Sequence, residues 1–230
     1  MTVERVSFEV DWALVERLAR LDACSLSDAL DALGMQGTVS GIPQRSGRGR
    51  ITGRCLTVKL VAAAEAPKPQ GPPRHLGSAA VEAAGPGTII VIEQRTGIDA
   101  GSWGGILSLA ATIRNIEGVI ADGPVRDIDE ARLYDLPIFA RALTAFTARG
   151  RVAEAATNVS VRIGDVTVEA GDYALADNSG IVFVPSAAIE RVLATAERIA
   201  AREAAMARAL RSGQQVSAVM GARYETMLSE

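Results

Sequence analysis

Between residues 78 and 140 the sequence alternates short apolar runs with segments of helical character. The apolar runs are Thr88–Ile92, Val119–Ala121 and Pro137–Ala140, and the stretch between consecutive runs is long enough for a helix. Strands that alternate with helices at this spacing are typical of parallel sheets with α/β crossovers. In such sheets, ligands bind at the carboxyl ends of the strands. The sequence therefore predicts an α/β fold with a functional site beyond one of these strands.

The flanking segments complete the predicted layout. Helices are predicted at 12–21, 25–33 and 186–211, a strand at 51–64 and a proline-rich loop at 66–77. Short strands are expected after Asn158, with the Gly-Asp pairs at 164–165 and 171–172 as hairpin turns. Since no repeat or linker divides the sequence, we expect one domain over residues 1–230 that ends in a long helix.

Charge and the few reactive side chains exclude several classes of function. The 24 basic and 27 acidic residues give a net charge of −3, whereas a nucleic-acid or anionic-membrane binder needs a basic stripe. His75 is the single histidine, which excludes His–His metal sites, and Lys59 and Lys68 are the only candidates for a Schiff base. Cys24 and Cys55 cannot form a disulfide framework, and both are predicted as small core residues. No signal peptide or transmembrane run is visible, so we expect a cytoplasmic protein without nucleic-acid or membrane partners.

The segment ADGPVRDIDEARLYDLPIFA, residues 121–140, holds the strongest candidate site residues. Arg126 and Asp127 follow a predicted strand and open the next helix. An arginine can hold a carboxylate through two parallel hydrogen bonds, and an aspartate at a strand end suits Mg²⁺, which takes one or two carboxylates together with water. Alternatively, Asp127 only starts the helix and Arg126 only pairs with a neighbouring acid. From these residues alone, both interpretations stay open.

A second segment, SWGGILSLAA at 102–111, has the pattern of an anion site at a helix start. The paired Gly104 and Gly105 allow close backbone approach, and the first amides of a helix lack intrahelical partners. The alternative is that the glycines only permit tight packing of helix on strand. Trp103 either lines a pocket or belongs to the core. His75 is either a lid residue over the site or a solvated loop residue.

Together these segments resemble the regulator of ribonuclease activity A (RraA) family, which includes the 4-hydroxy-4-methyl-2-oxoglutarate/4-carboxy-4-hydroxy-2-oxoadipate aldolases. The motifs that carry the resemblance are SDALDALG, ITGRCLTVKL, GPGTIIVI, the glycine turn at 104–107, DGPVRD followed by PIFA, and EAGDYALADNSGIVFVP. They span most of the chain. The resemblance implies a layered β/β/α fold of the swivelling-domain type, with a long C-terminal helix.

The resemblance also implies an activity. It implies a lyase dependent on Mg²⁺ or Mn²⁺, of the pyruvate aldolase or oxaloacetate decarboxylase type, that cleaves a small 2-oxo acid. The implied assembly is a homotrimer or hexamer with sites between subunits. The implied site residues are Arg126 as the substrate clamp, Asp127 as a metal ligand, Glu203 reaching the metal waters of a neighbouring subunit, and the amides of Gly104, Gly105, Ile106 and Leu107 as donors to the substrate carboxylate.

Gly105 departs from the pattern of the aldolase members, which carry a carboxylate at this position of the turn, written GDLL or GELL. The missing acid or base is worth ~10²–10⁴ in rate. Glu93 or Asp99 is the candidate substitute, and the late run Asp177–Gly180 also departs from the family's D-x-D-G. Two other functions therefore stay open. One is a non-catalytic trimeric regulator that binds and inhibits a ribonuclease; the other is a lyase or isomerase acting on another carboxylate.

Overall fold

A computed structural model describes residues 10–66 and 75–221 of the chain. The helices are α1 (Trp12–Ala19), α2 (Ala23–Ala32), α3 (Ser78–Ala83), α4 (Gly105–Ile113), α5 (Ile128–Leu133), α6 (Ile189–Arg211) and α7 (Val216–Val219). The strands are β1 (Thr38–Val39), β2 (Gln44–Ser46), β3 (Ile51–Ala62), β4 (Thr88–Glu93), β5 (Gly118–Val125), β6 (Ile138–Leu143), β7 (Val152–Thr157), β8 (Val161–Ile163), β9 (Val166–Val168), β10 (Tyr173–Ala176) and β11 (Ile181–Val184).

The centre of the described chain is a nine-stranded mixed sheet in the order β1-β11-β10-β3-β4-β5-β6-β2, and β7 pairs with the C-terminal half of β3. Strands β3 to β6 are parallel to one another. The connections between them contain α3, α4 and α5 in turn. Because parallel strands share one direction, the carboxyl ends of β4, β5 and β6 meet at the same edge, which is where ligand sites of α/β sheets form.

The sheet lies between a layer of helices and a small hairpin. On one face, Ile90 and Ile92 of β4 belong to a core formed with α3, α4 and α5. Helices α1, α2 and α6 cover the same face over β10 and β11. The alternate residues of β4, Ile89 and Val91, face the β8–β9 hairpin on the opposite side. The described chain therefore has three layers, which are the helices, the large sheet and the β8–β9 hairpin. This arrangement confirms the predicted β/β/α layering of an α/β fold.

Several predicted boundaries change in the structure. Strand β5 continues to Val125, four residues beyond the end predicted for this strand at Ala121. The hairpin turn at 164–165 is confirmed, but the one at 171–172 is wrong because β10 pairs with β3 and β11 and not with β9. The sequence analysis also missed β1, β2 and β7, because their polar and small residues lack the apolar pattern of a strand. Most of the predicted proline-rich loop, residues 67–74, lies outside the described part.

Within the described ranges, no helix has both the length and the apolarity required to cross a membrane.

Candidate functional site

Asp127 links the end of β5 to the start of α4. It stands at the N-cap position of α5 with φ 54° and ψ 39°, a left-handed conformation that aspartate tolerates better than most residues. Its side chain makes no capping bond to α5. Instead, Asp127 Oδ2 accepts the Gly105 backbone N–H at 3.1 Å. The carboxylate is therefore held by a different helix from the one that it was predicted to start.

The start of α4 leaves room and donors for an anion. A Cβ on Gly104 would lie 2.9 Å from Asp127 Oδ2, so glycine at 104 permits the close approach of the carboxylate. The first intrahelical hydrogen bond of α4 is donated by the Ser108 N–H to the Gly104 carbonyl oxygen at 3.0 Å. The amides of Ile106 and Leu107 precede it and have no intrahelical partner. They remain available to a negatively charged ligand, as the helix dipole favours.

Arg126 is fixed along its stem and free at its tip. Its backbone N–H donates to Trp103 O at 3.0 Å, and its Nε lies 3.2 Å from both carboxylate oxygens of Asp127. About a third of the side chain, 35%, is exposed. The two terminal nitrogens donate to no acceptor within the described residues. These nitrogens can hold a ligand carboxylate, and the predicted pairing with a neighbouring acid occupies only Nε.

We expect Gly101→Ala to displace Arg126 and to raise KM about tenfold. A Cβ at Gly101 would lie 2.8 Å from Arg126 Cγ and 3.0 Å from Cδ, closer than real Cβ contacts. Crowding of this kind costs about 1–3 kcal/mol, which the arginine relieves by leaving its position. Steady-state kinetics on the 2-oxo acid substrate that the family resemblance implies measure the effect. Gly85→Ala, where a Cβ meets no atom within 4 Å, is the matched control. An unchanged KM in Gly101→Ala would contradict the placement of Arg126 in the binding site.

Glu130 is a carboxylate that the sequence analysis missed. The point where a Gly105 Cβ would stand lies 1.8 Å from Glu130 Oε2 and 3.3 Å from Asp127 Cβ. The two acids are three residues apart at the start of α5, and both side chains approach the position of Gly105. That spacing, in the string RDIDE, was the available signal.

The two acids proposed from sequence as substitutes for a carboxylate at 105 lie elsewhere. Glu93 accepts the Arg162 backbone N–H at 2.7 Å and pairs with Lys59 at 3.6 Å, so it ties β4 to the hairpin layer. Asp99 is exposed in the loop after β4. Neither is placed beside Gly105 by any hydrogen bond or ion pair of the described chain. Glu130 is the acid that fills this space.

The remaining residues near α4 divide between core and surface. Trp103 is 1% exposed and its Nε1 donates to Ser108 Oγ at 3.0 Å, which makes it a core residue. Leu107 is also buried, and its Cδ1 lies 3.1 Å from where a Gly77 Cβ would stand. Ile106 points outward and is 78% exposed. His75 is exposed, and its Nδ1 lies 2.8 Å from the Leu76 carbonyl oxygen. A lid role for His75 stays a prediction.

Glu203 lies on the exposed second half of α6, apart from Arg126 and Asp127. Burial raises the pKa of its carboxyl, and the negative charges of Asp22 and Asp28 raise it further. No hydrogen bond or ion pair of the described chain connects Glu203 with Arg126 or Asp127. A role for Glu203 at this site therefore requires a second subunit.

Metal ligands are sparse within one subunit. In the parts of the chain that the structure describes, no three or more His, Cys, Asp or Glu side chains form a cluster that could hold a metal ion. The Asp127 carboxylate is nevertheless held in place by the Gly105 N–H, and Mg²⁺ often binds only one or two carboxylates with water completing its shell. Hard carboxylate oxygens suit Mg²⁺ or Mn²⁺ better than softer metals. The donors present therefore fit such an ion.

The cysteines take no part in this site. Cys55 is buried in the core, and burial raises the pKa of its thiol well above the usual value, which keeps it unreactive. Cys24 is exposed at the start of α2, so its prediction as a core residue is wrong. The helix places its side chain on the face turned away from β10 and β11.

A family model described as RraA-like, Aldolase/RraA, matches residues 23–183, a span that includes α4, β5 and α5. The chain belongs to this RraA-like family. Its match covers Arg126, Asp127 and Glu130, whereas Glu203 lies beyond it. The RraA-like assignment confirms the resemblance drawn from the motifs.

Known relatives differ in length and name. Protein DlpA of Legionella pneumophila is 27% identical over 200 residues, which are 87% of this chain and 32% of DlpA, so the chain spans about a third of that relative. A Halalkalibacterium halodurans protein named "Putative 4-hydroxy-4-methyl-2-oxoglutarate aldolase" is 28% identical over 88% of this chain and 90% of its own. Streptomyces coelicolor RraAS2, described as an unusual member of the RNase ES inhibitor RraA family, has a TM-score of 0.74 at 23% identity, covering 84% of this chain and 94% of that one. At that identity the likeness shows a common fold.

Proposed function

We propose that this RraA-like protein is a divalent-metal-dependent carbon–carbon lyase that cleaves a small 2-oxo acid, as an aldolase or an oxaloacetate decarboxylase. The observation that carries the proposal is the arrangement of Arg126, with its free terminal nitrogens, beside Asp127 and the unpaired amides of α4. A purely structural ion pair needs neither the free nitrogens nor the open helix start. The name of the Halalkalibacterium halodurans relative supports the substrate class.

Two groups at this site bind carboxylates. The terminal nitrogens of Arg126 can take both oxygens of a carboxylate and so fix its plane. The amides of Ile106 and Leu107 offer a second anion site a short distance along α4. A substrate with two carboxylates, such as oxaloacetate or 4-hydroxy-4-methyl-2-oxoglutarate, uses both. This arrangement disfavours neutral or cationic substrates.

Asp127 would hold Mg²⁺ or Mn²⁺, and Glu203 of a neighbouring subunit would accept hydrogen bonds from its water ligands. The ion would supply positive charge where negative charge develops on the 2-oxo oxygen as the carbon–carbon bond breaks. The Gly105 N–H holds one oxygen of Asp127 in place, and Arg126 Nε orients the carboxylate. These contacts fix the ligand geometry before substrate arrives, so less reorganisation is needed during the reaction.

An exposed apolar stripe supports an oligomer. Ile106 and Ile113 on α4 are 78% and 71% exposed, Leu109 between them is 37% exposed, and Leu133 on α5 is 81% exposed. The three α4 residues share one helix face by their spacing, and a patch of exposed apolar side chains is typical of an interaction surface. Because the stripe begins at the α4 start, a second copy docked on it lies next to the site. This position agrees with the predicted homotrimer or hexamer with sites between subunits.

We expect Ile113→Glu to dissociate the oligomer into monomers and to lower activity with it. The new charge would have to be buried in the apolar contact, which costs several kcal/mol when it is unpaired. Size-exclusion chromatography with light scattering gives the mass. Thr167→Glu adds the same charge on the exposed side of β9 and serves as the control. A wild-type protein that is monomeric at micromolar concentration would contradict the proposed interface.

A substrate panel tests the proposed class against its alternatives. Proton NMR follows a mixture of 2-oxo acids, hydroxy acids and simple dicarboxylates incubated with the protein and Mg²⁺. We expect loss of 2-oxo acids only. Loss of a different carboxylate would instead support a lyase or isomerase of another substrate. If the protein binds Mn²⁺ and consumes none of the compounds, the result would instead support a regulator that binds a ribonuclease.

A further inference from the structure

The space beside Gly105 is filled by a carboxylate from another helix. Gly105 is the first residue of α4 and is buried, and its helical conformation suits any residue type. A Cβ there would nevertheless lie 1.8 Å from Glu130 Oε2 and 2.6 Å from Glu130 Cδ. A side chain at 105 would therefore displace the flexible end of Glu130 from its present position. Because Gly105 has no side chain, the Glu130 carboxylate has room beside the start of α4.

The Glu130 side chain is accessible to solvent and unrestrained by the residues around it. It makes no hydrogen bond or ion pair with the described residues, whereas its neighbour Asp129 pairs with Arg132 at 2.9 Å. The Glu130 residue is exposed, so water reaches its carboxylate. Its carboxylate faces the same region as Asp127 and the α4 start. An acid with these properties suits general acid–base chemistry better than a structural role.

We propose that Glu130 is the general base of aldol cleavage, an inference that rests on the proposed function. With 4-hydroxy-4-methyl-2-oxoglutarate, Glu130 takes the proton of the 4-hydroxyl group. The electron pair of that O–H bond forms the new carbonyl at C4, and the C3–C4 bond breaks. Its electron pair goes to C3 as the enolate of pyruvate, while the other fragment leaves as a second pyruvate. The enolate then takes a proton at C3 from solvent, and Glu130 returns its proton to solvent before the next turnover.

Oxaloacetate decarboxylation distinguishes a general base at Glu130 from a Glu130 that only binds substrate or supports the fold. Its C4 carboxylate is already ionised, so loss of CO₂ requires no base, and the electron pair again goes to C3. The two substrates share the 2-oxo acid portion and therefore the same binding contacts. A residue that only binds substrate or supports the fold affects both reactions. A base for the 4-hydroxyl affects only the aldol cleavage.

The test compares Glu130→Gln with Asp129→Asn, a matched substitution of the neighbouring acid. We expect Glu130→Gln to lower kcat for aldol cleavage by ~10²–10⁴-fold and to leave oxaloacetate decarboxylation within about threefold of wild type. Gly105→Ala forces Glu130 aside without changing the charge and reproduces the selective loss in part. Asp129→Asn leaves both activities at the wild-type level.

Three outcomes would overturn the assignment. Equal loss of both activities in Glu130→Gln makes Glu130 a structural or binding residue. A lower KM for both substrates in that variant means that Glu130 obstructs the anion site at the α4 start. A wild-type protein that decarboxylates oxaloacetate and does not cleave the hydroxy acid removes Glu130 as a working base and leaves the lyase proposal intact. Failure of wild type on both substrates instead overturns the proposed function itself.

Discussion

We expect Arg126→Ala to lower kcat/KM for oxaloacetate decarboxylation by ~10²–10⁴-fold and to leave the fold intact. The substitution removes two charge-assisted hydrogen bonds to the substrate carboxylate, each worth about 1.5–3 kcal/mol, and 1.36 kcal/mol corresponds to a factor of ten. The fold is expected to survive because the side chain is 35% exposed and pairs only with Asp127. Initial rates of pyruvate release measure the loss, and circular dichroism checks the fold.

Arg132→Ala is the matched control for this variant. Arg132 lies on the adjacent helix α5, is 55% exposed and pairs with Asp129. Its removal therefore subtracts the same charge without touching the site. Wild-type turnover in Arg126→Ala would remove Arg126 from the mechanism. Equal losses in both variants would show that net positive charge matters and that a specific clamp does not.

We expect Asp127→Asn to lower kcat by ~10²–10³-fold and to weaken Mn²⁺ binding at least tenfold, because a neutral amide oxygen is a poor ligand for a hard cation. Asparagine adopts the left-handed conformation of residue 127 as readily as aspartate does. Its Oδ1 can also accept the Gly105 N–H that Asp127 accepts now. The variant therefore folds normally. Isothermal titration with Mn²⁺ and rates at saturating substrate measure the two effects separately.

The control for the metal ligand is again Asp129→Asn, two residues along the chain, whose carboxylate is 91% exposed. It is expected to bind Mn²⁺ like wild type. If Asp127→Asn keeps both its Mn²⁺ affinity and its turnover, Asp127 is only the cap of α4. If the variant loses turnover with unchanged affinity, the ion is held by other groups.

The sequence predicts the layers of the fold well because the layers follow apolar periodicity. β4 has the pattern TIIVIE, in which every apolar residue is buried against helices or hairpin, and the parallel strands on each side of it show similar runs. The short strands β1 and β2 lie near the sheet edges and contain mostly polar residues, so they leave no such pattern. Their pairing is decided by distant strands, which local propensity cannot show.

The site is predictable in part. The sequence predicts Arg126 and Asp127 as site residues from their place after a strand. The contact of Asp127 with the start of α4 depends on its left-handed backbone, which no sequence pattern predicts. The sequence shows that a carboxylate is missing at Gly105, but it does not show that the Glu130 carboxylate lies in the space beside it. Glu203 could be placed on α6, and its role at the site of a neighbouring subunit stays a prediction.

Pyruvate release is the most direct test of the central claim, that this site breaks a carbon–carbon bond in a 2-oxo acid with a divalent metal. Oxaloacetate and 4-hydroxy-4-methyl-2-oxoglutarate are each incubated with the protein in Mg²⁺ and in EDTA, and the rate without protein is subtracted. We predict pyruvate from both compounds in Mg²⁺ and none above background in EDTA. Full activity in EDTA, or no activity on either compound with Mg²⁺ bound, would contradict the account.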